Sequence, residues 1–264
     1  MGSPAGTSIT TSQHRPVGVL AAVAAGQVQL RYDVLSDVGT GRLVGLQTDL
    51  VWEDPARGLL SADEVWAAAE PEQHRPLRRW LLQQACSDAA ELSDTVHVGV
   101  QLPAGLTAPG TFVDDVTDAL TASGLAADRL ALTFPEELLH RASGALLAGL
   151  TALHGSGVRL ALTDYGLGTT LWGLLTRVPL DAVVVSLRTL RTTGGLDHAL
   201  RVLRGISEAA AQVKVRTIIA DVDSPTLLAR VGSMGSLAMT GPLLPTGLTA
   251  AQAAGLLRPE PTLV

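Results

Sequence analysis

A (β/α)8-type barrel is the expected fold, on three features of the sequence. Short apolar runs of strand length alternate with longer amphipathic ones along most of the chain, which is the pattern of a parallel sheet covered by helices. The strand candidates number eight, the count at which such a sheet closes on itself. No composition break or long linker divides the 264 residues, so one large domain is expected to hold them. An open doubly wound sheet shares the alternation and is the alternative architecture.

Residues 1–14, "MGSPAGTSITTSQH", are small and polar without apolar period and read as a flexible tail; residues 15–264 are expected to form the barrel. "VQLRYDVLS" and "GRLVGLQTDLVW" flank "DVGT", whose Asp and Gly suit a tight turn, so the first strand should run antiparallel to the second in a hairpin. Within the second strand Leu46, Thr48 and Leu50 share one face, and Gly45, Gln47, Asp49 and Val51 share the other. The remaining strands are expected at "TVHVGVQL", "LALTF", "VRLALTD", "AVVVS", "VRTIIAD" and "SLAM". Between them, Phe112, Val113, Val116, Ala119 and Leu120, then Leu196, Leu200, Leu203 and Ile206, recur at the spacing that buries one helical face. Gly124, Gly155 and Gly157 stand where helices should stop.

Composition excludes several classes. The net charge of −6 and the lack of a dense Lys/Arg stripe argue against nucleic acid, whose phosphates must be neutralised by cations. Cys86 is the single cysteine; it admits no intramolecular disulfide or cysteine zinc cluster, and in "RRWLLQQACSDAAEL" it reads as a small buried hydrophobe. "VGVLAAVAAG" is too short to span a bilayer, so no membrane association and a cytoplasmic location are expected. Arg75, Arg78 and Arg79 beside Trp80 read as a solvated helix face, with contact to an acidic partner as the alternative. Trp66 and Trp80 fall in helical segments and read as core or interface residues, and the six histidines show no ligand spacing. His97 shares a strand face with Gly99 and Gln101 and should fill space inside the barrel.

In a barrel of this kind chemistry sits at the C-terminal ends of the strands. Those ends offer Gln47 to Asp49, Gly99 to Gln101, Thr133, Thr163 with Asp164, Val184 to Ser186, and Asp221 with Asp223. The set is poor in carboxylates and lacks Lys and His, so a general base or a metal-activated water has few candidates.

Four blocks carry a family resemblance: "LRYDVLSDVGTGRLVGLQTDLVWEDPARGLLSADEVWAAAE", "TFVDDVTDALTASGLAADRLALTFPEELL", "GVRLALTDYGLGTTLWGLLTRVPLDAVVV" and "IIADVDSPTLLARV". In order and spacing the chain resembles the EAL domain, the cyclic di-GMP phosphodiesterase family of bacteria, from about residue 16 to about residue 254. The resemblance implies a (β/α)8 TIM-barrel-like fold with an antiparallel first strand. It also implies which positions should carry the hydrolytic site. The family's signature Glu falls on Gln47, its Asn ligand on Gly99, its second Glu on Thr133, the first Asp of its pair on Thr163 and its Lys on Val184, leaving Asp164 as the retained member of the pair, while a later Glu falls on or near Asp221.

Two-metal hydrolysis needs hard oxygen ligands around two divalent cations, and an amide, a glycine and two hydroxyls cannot supply them. The expectation is therefore a catalytically inactive EAL-like protein, with no catalytic residue and no cofactor, acting through a protein partner or homodimer in cyclic di-GMP-related signalling. Mg²⁺ or Mn²⁺ enters only if Asp49, Asp164 and Asp221 form a displaced metal site in a working phosphodiesterase. A receptor for cyclic di-GMP or another nucleotide is the other alternative. It is opposed by Asp33 and Asp49, which present negative charge to an anion, and by Val51 where the family places an Arg before Trp52. In the loop "DYGLGTTL", Asp164, Gly166 and Gly168 are candidate ligand-binding positions, with a structural or signalling role the stronger reading and Thr169 and Thr170 able to cap the next helix.

Overall fold

In the computed structural model, residues 18–103, 109–163, 178–192, 194–232, 234 and 238–257 are described. The expected hairpin is present: β1 (Val28–Asp37) and β2 (Leu43–Asp54) pair antiparallel, from Val28 opposite Trp52 to Ser36 opposite Leu43. From β2 the sheet proceeds in parallel through β4 (His97–Gln101), β5 (Leu130–Pro135), β6 (Arg159–Thr163), β7 (Ala182–Ser186), β8 (Arg216–Ala220) and β9 (Ala238–Met239). β9 then pairs antiparallel with β1, so eight strands close into a barrel whose first strand runs against the others. All eight expected strands are in it. A ninth, β3 (Gly58–Leu60), folds back on the end of β2 outside the barrel; three residues are too few to show a period in sequence.

The helices cover the outer face: α1 (Val19–Ala24), α2 (Ala62–Ala68), α3 (Pro71–Ala90), α4 (Pro109–Ser123), α5 (Glu136–Arg141), α6 (Gly144–Gly155), α7 (Leu187–Thr192), α8 (Gly195–Gln212), α9 (Pro225–Gly232) and α10 (Ala250–Leu257). Their ends follow local chemistry. Glu64 accepts from the backbone and hydroxyl of Ser61 to start α2, and Pro71 opens α3 where its missing N–H costs nothing. α6 stops as expected: Gly157 takes a left-handed φ of 106° while its N–H bonds to His154 and that of Val158 bonds to Leu153. α8 stops by the same pair of bonds, Lys214 to Ala211 and Val215 to Ala210, with Lys214 forced to φ 62°.

Burial explains the layering. Side chains that point outward from the strands are large and enclosed, among them Val98, Val100, Leu130, Leu132, Leu160 and Leu162, and they meet Leu77, Leu81, Leu82, Phe112 and Val116 from α3 and α4. Cys86 lies in this layer with its thiol pushed up to about 12 by burial, which leaves it unreactive at neutral pH. Trp66 is in the core and Trp80 packs against it. Tyr32 ties β1 to α3 through Asp88, and burial together with that carboxylate raises its phenol well above the ordinary range.

The arginine run departs from expectation. Arg78 is buried and its Nε donates to Asp115 of α4 at 3.2 Å, while Arg75 contacts the other oxygen of the same carboxylate and Arg79 reaches Asp118. The three cations thus clamp α3 to α4. Arg78 is thus no part of a solvated face, whereas Arg75 and Arg79 stay about half exposed beside the acids that α4 supplies.

Candidate functional site

Strand alternation delivers the inner face. Gln47 and Asp49 of β2, Gly99 of β4, Thr133 of β5, Thr163 of β6, Val184 of β7 and Asp221 beyond β8 all line one cavity of about 580 Å³ that runs through the barrel. The structure therefore brings these candidates together, while Ser186 and Asp223, also at strand ends, stand outside the lining of the cavity. Asp164, Gly166 and Gly168 lie outside the described residues.

The arrangement at Gln47 and Gly99 is the most specific feature. The strands pair these residues side by side, and the Gln47 carboxamide folds across β4 so that a Cβ built on Gly99 would overlap its Oε1. One residue's lost side chain is thus the space into which the other's amide fits. Thr133 is buried at 3% exposure and Thr163 at 8%. Thr163 Oγ1, Gln47 Nε2 and His97 Nδ1 have no hydrogen-bond partner among the described residues.

The rim is acidic but its carboxylates are occupied or apart. Asp33 Oδ1 accepts from the Gly247 N–H at 2.8 Å. Asp221 accepts from Ser186 Oγ at 2.6 Å and pairs with Arg188 at 2.9 Å, with its backbone in the left-handed region at φ 64°. Asp49 reaches solvent, yet the surrounding wall withdraws water and Asp33 adds repulsion, so its carboxyl is held above the ordinary range. Among the described residues no group of three His, Cys, Asp or Glu side chains is placed to hold a metal ion.

Some lining residues escape sequence reasoning. Arg159 and Arg216 open the N-terminal strand ends into the same cavity, and Arg188 neutralises Asp221. Alternation alone could have found the first two, since Arg159 shares a face with Ala161 and Thr163, and Arg216 with Ile218 and Ala220. His97 does point inward as expected, but it leaves the lumen largely open.

An eight-stranded α/β barrel with one reversed strand and a cavity opening at its strand ends defines the class of protein. The chain belongs to the EAL domain family, which matches residues 18–245. It is 27% identical over 247 residues to protein y4lL of Sinorhizobium fredii, covering 93% of this chain and 30% of that protein. It is also 27% identical over 208 residues to the cyclic di-GMP phosphodiesterase NbdA of Pseudomonas aeruginosa, covering 77% of this chain and 27% of that enzyme. The chain spans less than a third of the length of these relatives. Among solved structures, the PaMucR phosphodiesterase in complex with c-di-GMP superposes with a TM-score of 0.82 at 22% identity, covering 89% of this chain and 97% of that one. The FimX EAL domain of Xanthomonas citri, also bound to c-diGMP, gives 0.75 at 18% identity, covering 88% and 93%. These two likenesses concern the fold. No helix among the described residues is long and apolar enough to cross a membrane.

Proposed function

We propose that this chain is a catalytically inactive member of its family, acting in bacterial cyclic di-GMP signalling by contact with a protein partner or a second copy of itself. The observation that carries this reading is the Gln47–Gly99 contact. The resemblance puts two of the family's ligands at those positions, and here a neutral amide takes the space that a side chain at position 99 would occupy, so neither position supplies an anionic ligand. Thr133 and Thr163 add neutral hydroxyls where carboxylates are required, and a neutral hydroxyl is a weak ligand for Mg²⁺ or Mn²⁺. The remaining residues do not fit two divalent ions. A displaced site built on Asp221 is opposed by the Arg188 and Ser186 contacts that already use both of its oxygens.

Retention of the barrel, its hairpin and its closed seam supports a role for the scaffold itself. A nucleotide receptor is disfavoured by Asp33 and Asp49, which put negative charge at the mouth where an anion would enter. The deciding experiment incubates the purified chain with cyclic di-GMP and either Mg²⁺ or Mn²⁺ and separates the products by chromatography. No linear dinucleotide above the protein-free control is expected. Metal-dependent turnover that survives further purification and disappears in an Asp221→Ala variant would overturn the reading.

A further inference from the structure

The lower part of the barrel cavity has no place in that role. In barrels of this type the interior is ordinarily packed by bulky branched side chains. Here the inward positions Ala131, Ala161, Ala182 and Ala220, with Val184 and Ile218, leave the lumen open, as part of a cavity whose whole volume, mouth included, is about 580 Å³, within the range of small-molecule sites. Its two ends differ in charge. The mouth carries Asp33, Asp49 and the paired Asp221. The floor carries Arg159 and Arg216, with Asp181 beside them.

Those floor cations are under-used. Arg216 makes no ion pair or side-chain hydrogen bond among the described residues, and Arg159 engages only its Nε, donating to the Asp128 carbonyl at 2.9 Å. Asp181 has one oxygen committed to the Leu160 N–H at 2.8 Å and lies 3.5 Å from His154 Nε2. Burial, and after it the charge of Arg159, holds the His97 imidazole below its ordinary range against an opposing contact with the Asp128 backbone, with a smaller push from Arg216. Above them, Thr163 Oγ1 and Gln47 Nε2 are buried against the lumen without partners among the described residues. A buried polar atom without a partner is destabilising, so rotation of either side chain toward a ligand's polar group is favoured.

We propose that the lumen binds an unbranched medium-chain carboxylate with a neutral polar far end. Its carboxylate lies at the floor between Arg159 and Arg216, its chain along the alanine-lined wall, and its hydroxyl or amide terminus at Gln47 and Thr163. The acidic mouth sets the direction by repelling the carboxylate. Length sets the chain: β8 rises about 13 Å from Arg216 to Ala220, which suits a chain of octanoate size. The site is independent of any hydrolysis at the mouth, and its failure would leave the phosphodiesterase assay untouched.

The test titrates the full chain with octanoate, ω-hydroxyoctanoate and octylammonium by calorimetry and by thermal shift. Saturable heat and a rise in Tm are expected for both carboxylates, with tighter binding of the hydroxylated one and none of the ammonium. Ala161→Leu should fill the lumen and abolish binding. Arg216→Gln, at an exposed position that does not threaten folding, should weaken it by about three- to fivefold, as loss of a solvent-screened ion pair does. Absence of saturable carboxylate binding by the wild-type chain overturns the proposal. So does Arg216→Gln binding as tightly as wild type, a comparison that holds even if Ala161→Leu does not fold.

Discussion

Gln47 and Gly99 divide one volume between them, and that division can be measured. Gly99→Ala would drive a methyl group into the Oε1 end of the Gln47 side chain, a flexible end that can swing aside, so it should cost about 1 kcal/mol in urea denaturation, the low end of overpacking. In a Gln47→Ala background the same substitution should cost little, because neighbours sharing a contact are not additive; equal costs in both backgrounds would refute the packing account. Asp49 makes a pH-dependent prediction. Its carboxyl is raised by burial and by Asp33, so folding favours the protonated form. That contribution is fully present below the unfolded Asp value and is lost as pH rises through the raised folded value. Asp49→Asn carries no charge at any pH and should melt above wild type at pH 7.5. The advantage should vanish on acidification below about 3.9, the ordinary Asp value. A Tm difference that did not change with pH would point to packing instead.

At the scale of elements, α3 and α4 are joined by a buried charge pair as well as by apolar packing. Asp115 is fully enclosed and holds Arg78, itself 2% exposed. Asp115→Ala leaves an uncompensated buried guanidinium and should cost about 3–5 kcal/mol, the range for breaking such a pair. Chemical denaturation of that variant beside Asp118→Ala, whose Arg79 partner is exposed, provides the check; the exposed pair should be worth at most about 1 kcal/mol. This clamp was hidden from sequence reasoning. Arg75, Arg78 and Arg79 read as a cationic run, and the acids that meet them stand about forty residues further on, so only helix packing joins the two sets. Helix stops were more legible at Gly124 and Gly157, where glycine announces the left-handed turn. Lys214 makes the same turn on α8 without that signal.

Across the whole molecule, barrel closure is uneven. β5 and β6 are in register over five residue pairs, from Ala131 opposite Arg159 to Pro135 opposite Thr163. Among the described residues β9 is held by two residue pairs on either side, Ile218–Ala238 and Ile219–Met239 with β8 and Ser36–Met239 and Asp37–Ala238 with β1, and Tyr32 and Val34 add backbone bonds to Leu248 and Pro245. Opening should therefore begin at β9, and peptides spanning β9 should exchange hydrogen for deuterium faster than those spanning β6. The reverse order in native-state exchange would show that this strand is not the weak point.

The eight strands of the barrel, the reversed first strand and the faces on which Gln47, Gly99, Thr133, Thr163 and Val184 stand are all legible in the residue order alone. Those properties are local: period-two alternation, turn residues and strand length are written in neighbouring positions. Long-range packing is what sets the Gln47 amide in the space over Gly99, spends Asp221 on Arg188 and leaves the barrel interior open above two under-used arginines. Each depends on side chains distant in sequence sharing one volume, and no local pattern records whether that volume is filled.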